Sequence, residues 1–195
     1  MAVYQKTSGS PLLYDTVTGD IVAVKDPDGS EFFFARASIF GSFFDTTTQN
    51  NPVANTKNTM TFNNTDAANT GVSMASNSKF SISRNGVYNF QISVQLNNVN
   101  TIEDDVSIWY SKGTTGSATA IVQSGFLVVA PKRHGGVDGH TVAAWNIYIP
   151  MLVGEYVEVN WSSVSTDISL RQEEIASSPT RPAVPSIILT INELT

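Results

Sequence analysis

The sequence predicts an all-β protein, an antiparallel sandwich of about ten strands. Three observations carry that prediction. Polar and apolar residues alternate over long runs. Between residues 86 and 96, Tyr88, Phe90, Ile92, Val94 and Leu96 fall on one face, and Asn89, Gln91, Ser93 and Gln95 on the other. That period of two belongs to a strand buried on one side only. No window of about a dozen residues keeps apolar groups at i, i+3, i+4 and i+7, so helices are not expected. Turn-forming clusters such as Gly135-Gly136-Val137-Asp138-Gly139 and Leu152-Val153-Gly154 separate the alternating runs.

Taken in order, residues 1–35 differ in pattern from residues 36–195, and the chain is divided there. Ile21, Val22 and Val24 precede Asp26-Pro27-Asp28-Gly29, a reverse-turn composition, and Phe32, Phe33 and Phe34 follow it. The expectation is an N-terminal β-hairpin. Three successive rings cannot share one sheet face. At least one should meet another surface, unless the strand is buried on both sides.

In the remainder, Phe80 and Ile82 alternate, Asn85-Gly86 follows, and the long run from Tyr88 begins. Asn-Gly between alternating runs is a strong hairpin signal, because both residues tolerate positive φ. Val106, Ile108 and Tyr110 form the next strand, and residues 121–129 a β-branched one. Trp145, Ile147, Ile149 and Met151 share a face, which turns Asn146, Tyr148 and Pro150 outward. Val157, Val159 and Trp161 share another, as do Ile187, Leu189 and Ile191. The expected core therefore includes Phe80, Tyr88, Phe90, Ile92, Trp145 and Trp161.

Composition narrows the function. The chain of 195 residues is long enough for one sizeable core, and 41% of it is apolar. Only 14% is charged, with Asn, Ser and Thr in place of charge. A net charge of −6 and a pI near 4.7 argue against nucleic-acid binding. There is no cysteine, hence no disulfide and no thiolate metal site. No apolar run approaches a membrane span, and residues 1–8 lack the pattern of a secretion signal. The expectation is synthesis in a cytoplasm without membrane insertion.

Candidate chemistry is sparse. His134 and His140 flank Asp138 in a glycine-rich loop, where no regular spacing would hold a metal. Glu103-Asp104-Asp105 reads as a solvated acidic turn before a strand rather than a calcium loop. Glu173 and Glu174 read as a solvated loop, since neighbours in sequence do not oppose each other across a substrate. Trp109 reads as an edge-packed ring rather than a ligand platform. No catalytic residue, cofactor or metal is expected.

Phe80, Gly86, Tyr88 and Phe90, with Ile92 two places on, resemble the most recognisable motif of the complement C1q globular head. Phe62, Asn69 and Met74 echo its upstream part with altered spacing. The resemblance, with weaker similarity of strand order from about residue 38 to 194, implies a C1q/tumour-necrosis-factor-like jelly roll that forms a homotrimer. In similar trimers the strand holding Tyr148 contributes an aromatic to the subunit contact, so Tyr148, with Asn89 and Gln91, is assigned to that interface. Trimeric jelly rolls of this kind occur in bacteriophage virion proteins. The function expected is therefore a non-enzymatic capsid decoration or head-fibre protein located in the virion. Its hairpin (Ile21, Val22, Val24, Phe32, Phe33, Phe34) would dock on other capsid or tail proteins. The alternative is a tail-fibre head recognising a host-surface glycan or protein.

Overall fold

The computed structural model describes residues 3–5, 12–15, 21–25, 31–33 and 38–194. The chain divides into two compact units, Met1–Ser38 and Ile39–Thr195.

The first unit is a four-stranded antiparallel meander of Val3–Gln5, Leu12–Asp15, Ile21–Lys25 and Glu31–Phe33. The last two strands form the expected hairpin, with Ala23 opposite Phe33 and Val24 opposite Phe32. Two further strands precede it, so the arm is a small sheet rather than a lone hairpin. An isolated hairpin is marginal in water, and additional strands supply the missing partners. Leu13 and Ala23 stand opposite each other and are both buried. Ile21 is exposed and Val24 half-buried. The side chains of Val22, Phe32 and Phe33, all of Phe34, and the turn at residues 26–29 lie outside the described residues.

The second unit is an antiparallel jelly roll. Its principal strands are β1 (Phe40–Asp45), β2 (Lys79–Ile82), β3 (Gly86–Asn98) and β4 (Asp104–Gly113). They continue with β5 (Phe126–Ala130), β6 (Gly139–Met151), β7 (Tyr156–Ser163) and β8 (Ile187–Glu193). First pairs with last and so on inward: β1 with β8, β2 with β7, β3 with β6, β4 with β5. The nested pairs alternate between two sheets, ordered β1-β8-β3-β6 and β2-β7-β4-β5. That is the jelly-roll winding. Short strands extend the edges, among them Val72–Ala75 beside β2.

β2 and β3 therefore lie in different sheets, and the hairpin expected at Asn85-Gly86 is corrected. Neither residue has the positive φ that such a turn uses. Asn85 instead caps a neighbouring turn, its Oδ1 accepting the Val153 N–H at 2.7 Å. The Tyr88 hydroxyl donates to the Arg84 carbonyl at 2.7 Å. This corner turns Phe80 and Phe90 toward each other's sheet. Phe80 meets Phe43 and Phe62, at ring separations of 4.8 and 5.0 Å, and Phe90 meets Tyr110 at 6.0 Å. Edge-on and tilted contacts of this kind add to the gain from burying the rings.

Phe80, Tyr88, Phe90, Ile92 and Trp161 are buried in this core. Trp145 is not: it is 43% exposed, and its assignment to the core is corrected. Its parity is the inward one shared with Ile149. However, β6 pairs only with β3 and forms an edge of its sheet. There the indole stacks on Phe126 of β5, the facing edge, at 5.1 Å and 22°. The two rings close the open side of the sandwich and stay half wet. The β-branched run at residues 121–129 is also shorter than expected. Only β5 is extended; residue Gln123 has φ 61°, and Ser124 turns the chain by bonding Tyr110 and Ile121.

Candidate interaction surfaces

The outer face of the β1-β8-β3-β6 sheet is built in cross-strand rows. Phe40, Asn192, Asn89 and Tyr148 form one row, Ser42, Thr190, Gln91 and Asn146 the next, and Phe44, Ile188, Ser93 and Ala144 a third. Val87 opposite Pro150 and Gln95 opposite Val142 bound them. None of these positions is Asp, Glu, Lys, Arg or His. Tyr148 is 58% exposed, and Phe40, Ile188 and Val142 are exposed as well. Beneath Tyr148, the Asn89 amide donates to Asn192 Oδ1 at 3.3 Å, while its own Oδ1 is shielded and lacks a partner. Tyr148, Asn89 and Gln91 thus stand together on one uncharged face.

The outer face of the opposite sheet is closed on itself by polar bonds. Asn160 is fully buried, donating to Ser111 Oγ and accepting from the Thr59 hydroxyl, both at 2.9 Å. That rules out a glycan on Asn160, although Asn160-Trp161-Ser162 matches an acceptor pattern. Glu158 is buried and bonded to Lys57 at 2.8 Å. The Lys79 ammonium lies 4.5 Å from the centre of the Tyr156 ring. Trp109 is half-buried opposite Asn160.

Where β3 ends and β6 begins, a chain of alternating charges runs Arg133, Asp138, Arg171, Glu173, Arg181. The separations are 3.8, 3.5, 2.5 and 3.6 Å. Asp138 is therefore engaged by arginines, not by His134 or His140. Glu173 is not merely solvated but clamped between two guanidinium groups. Gly139 holds the loop in place, since a Cβ there would sit 1.8 Å from the Pro131 carbonyl oxygen. Sequence reading misses this cluster because its members come from three separated segments.

Asp104 is buried with one carboxylate oxygen unpartnered. Burial, then the charges of Asp167 and Asp105, push its pKa up. Among the described residues no group of three His, Cys, Asp or Glu could hold a metal. Glu155 is held below the ordinary carboxylate range. Desolvation opposes that shift, and the Leu152 N–H and Lys112 outweigh it. Burial pushes the Tyr110 phenol up.

No protein-family model matches the chain, and no curated protein sequence matches it. A crystal structure of murine APRIL at pH 8.0 is similar in fold at a TM-score of 0.49 and 8% identity, covering 81% of this chain and 100% of that one. The jelly-roll assignment itself rests on the nested strand pairing.

Proposed function

We propose that this chain is a non-enzymatic structural protein of a bacteriophage virion, assembled as a homotrimer through the uncharged face around Tyr148. The carrying observation is that face: rows of Phe, Tyr, Ile, Val, Asn, Gln, Ser and Thr with no charge among them. Interface centres are depleted of charge and enriched in aromatics. Tyrosine suits such a contact because it joins apolar area to a polar tip. Threefold assembly, and the placement on a virion, follow from the resemblance carried by Phe80, Gly86, Tyr88 and Phe90.

In this reading residues 1–38 are the anchor to other capsid or tail proteins. A chain beginning at Ile39 should fold and trimerise, yet fail to cosediment with phage particles lacking the protein. Cosedimentation of the shortened chain at the full-length level would refute the anchoring role. Light scattering of the full chain should give the mass of three subunits, and a monomer would refute the assembly.

A further inference from the structure

Three of the alternating charges at the end of β3 and β6, Arg171, Glu173 and Arg181, line a cavity of about 460 Å³ together with His140. We propose that this cavity is a carbohydrate site, taking a neutral pyranose ring by its hydroxyl groups. Its volume falls within the range of small-ligand sites. Arg171, Glu173 and Arg181 line one side, Gln95 lies on the strand floor, and Val142 and Val184 supply apolar surface.

The charge pattern selects the ligand. An anion would meet Glu173, and a cation would meet both arginines. A wholly apolar ligand would strip water from charged groups without replacing their bonds. A polyol avoids all three costs, because each hydroxyl both donates and accepts. The guanidinium groups donate to its oxygens, and Glu173 accepts from its O–H groups. Bonds to charged partners are the stronger kind. Val142 and Val184 suit the C–H face of the ring. Arg171 binds Glu173 through Nε and Asn97 and Asp138 through Nη1. Among the described residues its Nη2 has no protein partner, so its N–H groups are free for a ligand. The ion pairs fix the side chains beforehand, which lowers the ordering cost on binding.

The site is complete within one chain and does not depend on the assembly proposed above. Val142 stands six positions from Tyr148 along β6, roughly 20 Å at the rise of a strand.

The test is a backbone-amide NMR titration of the full chain with the methyl glycosides of glucose, galactose and mannose. N-acetylneuraminic acid, inorganic phosphate and methylammonium serve as charged probes. At least one neutral glycoside should give saturable shifts at the amides of Gln95, Val142, Glu173 and Arg181. Glu173→Gln should weaken that binding by about tenfold or more, with the remaining spectrum unchanged. Val184→Tyr, which fills the cavity, should abolish it. Saturation by a charged probe and by no neutral glycoside would overturn the proposal. So would the absence of saturable shifts with all three glycosides, or undiminished sugar binding by Val184→Tyr. Light scattering on the same samples reports subunit assembly separately.

Discussion

The two outer faces of the sandwich are made from the same strand geometry over one core, yet they handle polarity differently. On the β2-β7-β4-β5 face the buried Asn160 and Glu158 have their partners in the chain, Asn160 with Ser111 and Thr59, Glu158 with Lys57. On the β1-β8-β3-β6 face the rows around Tyr148 carry no charge, Tyr148 and Phe40 are exposed, and the Asn89 oxygen is shielded without a partner. A surface meant for water tolerates charge at little cost, whereas a surface meant for another protein excludes it. The first face reads as finished within the subunit and the second as awaiting a neighbour.

That contrast can be broken in several places. The shared core comes first: Phe90→Ala should cost about 3–5 kcal/mol of subunit stability, measured by denaturant unfolding. An unchanged midpoint would mean that Phe90 does not join the sheets. Tyr148→Asp places an unpaired charge in the proposed contact, at about 3 kcal/mol per subunit. Light scattering should then find monomers of undiminished fold, and a persistent trimer would place the contact elsewhere. Lys57→Met tests the opposite face. It leaves buried Glu158 unpaired and should lower stability by about 1–2 kcal/mol, without altering the mass of the assembly. A change of mass there would erase the distinction between the faces. The smallest effect belongs to the seam. Trp145→Ala removes a half-exposed ring and its stacking on Phe126, at about 0.5–1.5 kcal/mol. A loss as large as that for Phe90→Ala would restore Trp145 to the core.

Alternation in sequence reports which side of a strand a residue occupies, because side chains in any strand point to opposite faces in turn. That is why Tyr88, Phe90, Ile92 and Trp161 could be read as inward and Tyr148 as outward from the sequence itself. The same rule says nothing of where the strand sits in its sheet. Trp145 has inward parity but lies on an edge strand, where the opposing sheet covers only part of the ring. Nor does a turn composition reveal which strands it joins. Asn85-Gly86 has the chemistry of a hairpin, yet it carries the chain between sheets, because β2 has its partners in Val72–Ala75 and β7.

What the sequence determined by itself was local: strand periodicity, the inward and outward faces, the absence of helix, the change of pattern near residue 35, and the low charge. These follow from backbone sterics and side-chain polarity, which act between near neighbours. The tertiary structure alone decided the nested pairing, the exposure of Trp145, the uncharged rows, and the chain of charges from Arg133 to Arg181. Each depends on contacts between residues far apart in sequence: Arg171 and Asp138 lie 33 positions apart, and Asn89 and Asn192 lie 103 apart. Only the closing of those long loops by core burial brings such groups within reach of one another.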